Sequence, residues 1–369
     1  MNSVRVLAAL SGGVDSSVAA LLLRRQGYDL VGVFLRNGVE APPGACRPHQ
    51  GCCSVDDARD AALVADRLGI PFHALDMQAE FGAIQDYFVS EYRRGRTPNP
   101  CAVCNRDIKF GALLRFADAV GAAYVATGHY ARVQATPQGA ALLRSLDRRK
   151  DQSYVLFPVG PQALSRTLLP VGGMEKAQTR ALAQAANLPV FGKPDSQEIC
   201  FVPTGDYRDL LRSRGGLGRP GRFLDPDGRV LGEHDGHMGY TRGQRRGLGI
   251  AAAAPLYVLD VDAESGDVVV GPRAFTGAEA AEVEGFATFA AELAPGAAWD
   301  DVEIQYRSAP GGVAGRVQCL APGRVRVNFA RPAASVNPGQ GLAVYRGERL
   351  LGGGWIEQVQ RAPRPALAV

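Results

Sequence analysis

Short apolar runs alternate with amphipathic stretches over the first 200 residues of the chain. The runs have the length of buried strands, and the stretches between them repeat apolar residues at helical spacing. Strands are predicted at residues 4–10, 30–35, 72–75 and 124–127, and helices at 16–25, 56–68 and 109–120. Strands that alternate with helices predict an α/β fold with a parallel, helix-flanked sheet, whose ligands bind at the carboxyl ends of the strands.

The pattern changes near residue 205. Two glycine-punctuated segments, FLDPDGRVLG and LYVLDVDAESGDVVV, each read as strand, tight turn and strand, which predicts a small α+β module. After an alanine- and glycine-rich stretch at 276–300, four alternating segments (VEIQYRS, GRVQCL, RVRVNFA and GLAVYRG) predict a small closed β-barrel. The expected domains are therefore 1–204, 205–275 and 276–369.

The first strand runs into a loop of small residues, AALSGGVDSSV at 8–18. Gly12 and Gly13 can adopt positive φ and bring backbone N–H groups close to an anion at the positive end of the following helix. Hydroxyl groups of Ser11, Ser16 and Ser17 add donors. The loop matches neither GxxxxGK[ST] nor GxGxxG. Asp15 is interpreted as a Mg²⁺ ligand, with a helix cap as the alternative.

A second motif, RTPNPCAVCNRDIKF, occupies residues 96–110. Its two prolines fix φ and disfavour helix just before them, so we expect Cys101 and Cys104 on a rigid loop. Three cations flank these thiols and favour the thiolate, namely Arg96, Arg106 and Lys109. A third cysteine, Cys200, follows far downstream in KPDSQEICF.

In this combination the chain resembles the bacterial tRNA-specific 2-thiouridylases of the N-type ATP pyrophosphatase superfamily. SGGVDS is similar to the superfamily's pyrophosphate loop, and the finer resemblance rests on GRTPNPCAVCN, ATGHYARV, KDQSYVLFPV, GKPDSQEICF, YTRGQRRGLGI and PGQGLAVY, in this order. The resemblance covers almost the whole chain. It implies an enzyme that adenylates the 2-oxygen of the wobble uridine of tRNA, converts ATP to AMP and pyrophosphate, and transfers sulfur from a cysteine persulfide.

The same resemblance implies site residues. Cys104 would be the catalytic nucleophile and Cys200 the persulfide carrier. ATP would contact Ala9, Leu10, Ser11, Gly12, Gly13, Val14, Asp15, Ser16, Leu35 and Gly128. The target base would lie against Asn99, Pro100 and Cys101, and further tRNA contacts would come from His129, Lys150, Asp151, Gln152, Tyr306, Arg307 and Gln340. The implied partners are the anticodon loops of Glu, Gln and Lys tRNAs and a persulfide donor or sulfur-relay protein.

The sulfur chemistry leaves two routes open. A uracil oxygen leaves only after it becomes a phosphate ester, so adenylation by ATP and Mg²⁺ precedes attack by sulfur. In the relay, Cys200 delivers its outer sulfur, and Cys104 attacks the inner one to form a disulfide bond. Alternatively, Cys101, Cys104 and Cys200 hold a four-iron four-sulfur cluster with one open iron. Several family members carry aspartate at the position of Cys101, which favours the relay. Zinc lacks a second ligand pair at suitable spacing.

The composition of the chain predicts its cellular compartment, and its arginines predict an RNA-contacting region. Seven cysteines, odd in number and unevenly spread, predict a reducing compartment. Cys46, Cys52 and Cys53 lie in a Pro/Gly-rich stretch that we interpret as an active-site lid. No stretch approaches ~18 apolar residues and the chain enters its first strand directly, so we expect a soluble, cytoplasmic protein without membrane contact. The formal net charge is only +4, but arginines cluster at 205–250, where Tyr207 and Tyr240 are predicted to stack on unpaired bases.

Overall fold

The computed structural model describes residues 3–39, 55–137, 139–195, 199–202, 205–289 and 293–364. The chain divides into two compact units. The first comprises the described residues within Met1–Gln85, Pro100–Gly205 and Glu348–Leu350. The second comprises those within Asp86–Asn99, Asp206–Gly347 and Leu351–Val369.

The elements up to residue 185 alternate between strand and helix at first, and then include a run of helical segments and a run of strands. In chain order they are β1 (Arg5–Ala9), α1 (Val14–Arg25), β2 (Asp29–Arg36), α2 (Val55–Leu68), β3 (Phe72–Asp76), α3 (Gln78–Arg93), α4 (Pro100–Cys104), a π-helical segment (Asn105–Ala112), α5 (Leu113–Ala119), β4 (Tyr124–Ala126), β5 (Ala131–Thr136), β6 (Gly139–Arg144), α6 (Pro161–Ser165), β7 (Thr167–Leu168) and α7 (Lys176–Ala185).

The first unit is built on a parallel five-stranded sheet in the order β3-β2-β1-β4-β7. The central strand β1 is nearly all apolar because it is covered on both faces. Val6 and Phe34 pack with Leu23 of α1 and Val64 of α2. Val14 and Val18, also of α1, pack in a separate cluster with residues that lead into and follow α7. The prediction of a parallel, helix-flanked sheet is confirmed.

Two local predictions in this unit were incomplete. The helix expected at 109–120 begins at Pro100 and continues through a π-helical segment to Ala119. The antiparallel hairpin of β5 and β6 was not predicted at all, and Leu143 of β6 pairs further with Arg349. Its strands are rich in alanine, which has a weak strand preference.

The second unit contains the predicted α+β module. It consists of α8 (Tyr207–Ser213), β8 (Gly221–Leu224), β9 (Val230–His234), β10 (Tyr257–Val261) and β11 (Val268–Gly271). Both expected hairpins form, since β8 pairs antiparallel with β9 and β10 with β11. Gly228 and Gly266, each with φ of 86°, make the turns that the sequence indicated.

The remaining strands close into a six-stranded antiparallel barrel. They are β12 (Gly277–Thr288), β13 (Ala298–Gln305), β14 (Val313–Ala321), β15 (Arg324–Ala334), β16 (Gly341–Arg346) and β17 (Arg349–Arg361). The order β12-β15-β14-β13-β16-β17 is closed by pairing of β12 with β17. The predicted barrel is confirmed, but β12 lies inside the 276–300 stretch that was expected to precede the barrel strands. Across the residues that the structure describes, no helix is both long and apolar enough to span a membrane.

Candidate active site

The glycine loop joins β1 to α1 at the carboxyl edge of the sheet. Gly12 has φ of 69°, and a β-carbon at this position would lie 2.4 Å from the carbonyl oxygen of Asp57. Only glycine fits there, for both reasons. Gly13 does not have the positive φ that we predicted, since its φ is −104°, and it is the N-cap residue of α1. A β-carbon added to Gly13 would have Ser11 Oγ as its nearest neighbour, at 3.4 Å.

The serine hydroxyls of the loop form hydrogen bonds within it. Ser16 Oγ accepts a hydrogen bond from the backbone N–H of Ser11 at 3.1 Å and lies 3.2 Å from the carbonyl oxygen of Gly13. Ser17 Oγ donates to the same carbonyl at 2.8 Å and is almost fully buried. These two hydroxyls therefore shape the loop, and the first N–H groups of α1 remain as the natural donors to an anion.

Two further residues with implied nucleotide contacts lie at the same edge. Leu35 is the next-to-last residue of β2, and Gly128 follows β4, the strand on the other side of β1. A β-carbon on Gly128 would lie 2.5 Å from the backbone nitrogen of Ser16, so the chain after β4 touches the first turn of α1. The structure thus brings Leu35, Gly128 and the loop to adjacent strand ends, as a ligand site in such a sheet requires.

Asp15, in the first turn of α1, is the centre of a charged cluster that the sequence motif did not disclose. Lys176 Nζ donates to both of its carboxylate oxygens, at 2.7 and 2.9 Å, and the Tyr130 hydroxyl donates to Oδ1 at 2.9 Å. Lys176 also pairs with Asp195 at 2.9 Å. Asp195 is bonded in addition by Lys150 at 2.8 Å and Arg180 at 2.6 Å.

These cations determine the charge state of Asp195. Burial acts to raise its pKa, but the hydrogen bonds from Lys150 and Lys176 outweigh burial and lower the pKa to about 2. Asp195 is therefore ionised at any working pH. Because it lies five residues before Cys200, it connects the cluster to the chain segment that carries this cysteine.

A second lysine, Lys193, connects the loop to helix α2 through hydrogen bonds. Lys193 Nζ donates to the Gly12 carbonyl at 3.0 Å, to Asp57 at 2.5 Å and to Asp60 at 2.7 Å. Burial acts to lower the pKa of Lys193, but the bonds to the two carboxylates raise it, so the ammonium stays charged. Its three donors have three acceptors, which ties the loop to α2.

The cysteines are placed differently from what the prolines suggested. Cys101 and Cys104 lie on helix α4 rather than on a rigid loop, because Pro100 takes the first helical position, where no N–H is needed. Cys101 is exposed and Cys104 is buried, whereas Cys200 is half-buried. Cys46, Cys52 and Cys53 lie outside the described residues, so the lid interpretation stays a prediction.

The residue after Cys104 was missed by sequence reasoning. Asn105 opens the π-helical segment and donates from Nδ2 to the carbonyl of Val155 at 3.0 Å. It is almost fully buried, and its Oδ1 has no hydrogen-bond partner among the described atoms. Interruptions of this kind in an α-helix are frequent at functional sites.

The cations expected to activate the thiols have other partners. Arg96 donates to Glu91 at 2.7 Å and to Glu357 at 2.6 Å, and Arg106 pairs with Asp107 at 2.7 Å. Two carboxylates therefore compensate the charge of Arg96, one of the cations that we expect to favour the thiolate. Burial, and then the charge of Lys109, hold the pKa of His129 well below its ordinary value.

The residues of the first unit with implied tRNA contacts differ in accessibility. Lys150 is partly exposed, whereas Asp151 is buried and bonded by Arg144, Ser145 and Ser153. Gln152 exchanges two hydrogen bonds with the backbone of Tyr130, one from its N–H and one to its side-chain oxygen. His129 is buried and neutral, with Nδ1 2.7 Å from Thr127 Oγ1.

The other implied tRNA contacts are divided between the two units. Gln340 donates to the carbonyl of Pro98 at 2.9 Å, directly before Asn99, and Asn99 itself is buried. The Tyr306 side chain is buried with the exposed Arg307 guanidinium over its ring. Pro100 is also buried, at the start of α4 in the first unit.

The two tyrosines predicted to stack on bases make aromatic contacts within the second unit. Tyr207 stacks on Tyr92, with ring centroids 4.7 Å apart and an angle of 15° between the rings. Tyr240 packs edge-on against Phe223 and lies 4.9 Å from the ring of His234. Both rings belong to the internal packing of the second unit. Within the described ranges, no three His, Cys, Asp or Glu side chains are grouped so that they could hold a metal ion.

The sheet order, the glycine loop after its central strand and the closed barrel together define a nucleotide-binding α/β protein with two accessory β-rich modules. Family models agree with this class: a tRNA methyl transferase HUP domain matches residues 4–204, a tRNA methyl transferase PRC-barrel domain matches 209–272, and an aminomethyltransferase beta-barrel domain matches 289–356.

Full-length relatives identify the family. The chain is 45% identical to the tRNA-specific 2-thiouridylase MnmA of Acidithiobacillus ferrooxidans over 97% of this chain and 99% of that protein. It is 47% identical to the protein of the same name from Thermus thermophilus, over 96% and 95% of the two chains. The chain belongs to the tRNA-specific 2-thiouridylase family, as the sequence motifs predicted.

Proposed function

We propose that this protein is an ATP-dependent tRNA sulfurtransferase that replaces the 2-oxygen of the wobble uridine with sulfur. The observation that carries the proposal is the presence, in one compact unit, of the glycine loop at the sheet edge and of both cysteines implied by the family, Cys104 and Cys200. An amide-forming ligase of the same superfamily would use ATP but would need neither cysteine.

In the first step the uracil 2-oxygen attacks the α-phosphorus of ATP, and pyrophosphate leaves. The N–H groups at the start of α1 bind phosphate oxygens, and the positive end of the helix dipole stabilises the added negative charge. Mg²⁺ prefers one or two carboxylates together with phosphate oxygens. Asp15, the only carboxylate of the loop sequence SGGVDS, fits that donor set.

In the second step the outer sulfur of a Cys200 persulfide attacks C2 of the uracil. The Cys104 thiolate then attacks the inner sulfur, so that the S–S bond of the persulfide breaks and a Cys104–Cys200 disulfide forms. AMP leaves with the former 2-oxygen, and the base keeps the outer sulfur. A persulfide donor reloads Cys200 after a thiol reductant has cleaved the disulfide.

The difference in burial among the three cysteines favours the relay over an iron–sulfur cluster. Cys101 is exposed on the first turn of α4, and Cys104 is buried one turn later. Among the described residues these side chains are not gathered as a metal-binding group. The burial of Cys104 shields this thiol from external oxidants, whereas the half-buried Cys200 can meet an external donor.

Serine substitutions test this assignment. We expect Cys104→Ser and Cys200→Ser to abolish 2-thiouridine formation, measured by nucleoside analysis of tRNA incubated with ATP and a persulfide donor. Adenylation of the tRNA and release of pyrophosphate should persist, because neither thiol takes part in that step.

The controls separate the alternatives. Cys101→Ser should retain thiolation, and Cys319→Ala, in the barrel, should behave as wild type. Stoichiometric iron in anaerobically purified protein, lost together with activity in Cys101→Ser, would replace the relay with a cluster. Wild-type protein that forms neither AMP nor 2-thiouridine would refute the proposed function itself.

A further inference from the structure

The glycine loop lacks a component that other phosphate loops contain. In P-loop proteins a lysine within the loop reaches the β- and γ-phosphates, whereas SGGVDS contains no lysine. Backbone N–H groups alone offer partial charges to a polyphosphate that carries several full charges. A cation from elsewhere in the fold would supply what the loop does not.

Lysine is rare in this chain and concentrated near the loop. Only four of the 41 basic residues are lysines, at positions 109, 150, 176 and 193. Three of these four lie in the charged clusters around the loop described above. Lysine differs from arginine in carrying a compact charge on a stem that can be redirected, with three donors that rotate.

The three lysines do not have the same partners. Lys193 is held by three acceptors that fix the loop to α2. Lys150 pairs with Asp195. Of these three lysines, Lys176 is the one that donates to the loop carboxylate, Asp15, and it also pairs with Asp195.

The position of Lys176 in its helix has no local explanation. It is the first residue of α7, whose N-terminus is already capped by Glu175 and Gln178. A cation in the first turn of a helix opposes the helix dipole and costs some stability. Its side chain nevertheless is only 12% exposed and reaches the loop. The location therefore serves the loop rather than the helix.

We propose that Lys176 is the phosphate-contacting lysine of this ATP site, and that it exchanges its bond to Asp15 for the nucleotide polyphosphate while Asp195 retains it. The inference rests on the proposed function. Asp15 would hold Mg²⁺, which would supply further positive charge to the polyphosphate. The Lys176 ammonium keeps its bond to Asp195 and turns toward the phosphate oxygens, which replace Asp15 as its acceptors.

Asp195 is the positioning residue in this arrangement. Its bonds to Lys150 and Arg180 keep the carboxylate in place when Lys176 changes its other partner. Lys176 is thereby kept within reach of the loop at all stages of the exchange.

Binding of α,β-methylene-ATP with Mg²⁺, measured by calorimetry, tests the proposal without requiring turnover. We expect Lys176→Met to weaken binding by about 10- to 100-fold, since a charge-assisted hydrogen bond to phosphate is lost. Lys176→Arg should recover part of the affinity. Arg166→Met, which removes an ion pair with Asp118 elsewhere in the same unit, is the matched control and should bind as wild type.

The outcomes separate this inference from the proposed function. Equal affinity of wild type and Lys176→Met, whatever their melting temperatures, would overturn the role of Lys176 and leave the sulfurtransferase intact. Failure of the wild type to bind the analogue would refute the ATP site as a whole. If Lys176→Met does not fold, Lys176→Gln provides the same comparison, because its neutral amide can still hydrogen-bond to Asp15.

Discussion

Two charged networks of this protein use different cations for different purposes. Around the glycine loop, Lys176 and Lys193 bond to aspartates and to the loop itself. In the second unit, Arg96 joins Glu91 of α3 to Glu357 of β17, and Glu91 is 9% exposed. The first network lies at the candidate ATP site, whereas the second holds the segment that leads to Asn99.

The arginine network is surrounded by close contacts with the backbone. A β-carbon on Gly339, whose φ is 87°, would lie 2.7 Å from Glu91 Oε2 and 2.8 Å from the carbonyl oxygen of Thr97. The Thr97 N–H donates to the Pro338 carbonyl at 2.9 Å. The planar fork of Arg96 suits such permanent pairing, while an ammonium suits partners that exchange. From this comparison we expect substitutions in the lysine network to affect chemistry and substitutions in the arginine network to affect stability.

The largest effect should follow from breaking the loop at the centre of the lysine network. Gly12→Ala places a methyl group against the Asp57 backbone and strains a left-handed residue. We expect AMP formation to fall more than about 100-fold, as misplacement of a substrate by 1 Å can cost that much.

Gly13→Ala is the matched variant, because an added β-carbon there meets only Ser11 Oγ at ordinary contact distance. It should fold with wild-type stability, and any loss of AMP formation in it reports direct crowding of the phosphates. Equal melting temperatures for both variants would contradict the different geometry of the two glycines.

A smaller effect on activity and a larger one on stability should follow from Arg96→Met. Removing this cation leaves the buried Glu91 carboxylate with less compensation, which costs about 3 kcal/mol. Urea unfolding followed by circular dichroism measures the loss, and affinity for α,β-methylene-ATP should not change. Weaker nucleotide binding at unchanged stability would reverse the roles assigned to the two networks.

The sequence predicted the framework of the site because that framework is local. The glycine loop, its strand and its helix are contiguous, and the barrel strands alternate within short segments. The strand β12 was missed because alanine and glutamate have weak strand preferences. The helix at Pro100 was missed because proline disfavours helix in the residue before it but not at the first helical position.

The charged partners of the loop could not be predicted from their own surroundings. Tyr130 and Lys176 lie 115 and 161 residues from Asp15 along the chain, and neither belongs to a phosphate-binding motif. Their convergence on Asp15 is a property of the fold. The one signal available in the sequence was the scarcity of lysine in an arginine-rich chain, which a motif search does not weigh.

The smallest expected effect is on the pH dependence of stability, which should differ between Glu357 of the arginine network and Asp195 of the lysine network. Arg96 lowers the pKa of Glu357 below its ordinary value of 4.5, and the pKa of Asp195 is lowered from 3.8 to about 2. A carboxyl whose pKa is depressed by folding stabilises the protein above its unfolded pKa, and this contribution is lost as the pH falls through the folded pKa. The advantage of wild type over Glu357→Gln should therefore begin to shrink below pH 4.5. The advantage over Asp195→Asn should begin to shrink only below pH 3.8 and should persist toward pH 2.

Each difference in the free energy of unfolding should be about 1 kcal/mol or less at neutral pH, because both carboxyls are partly exposed. Urea midpoints of the three proteins between pH 7 and pH 3 measure it, and an Asp195→Asn difference that vanishes at a higher pH than the Glu357→Gln difference would contradict the stronger pairing of Asp195.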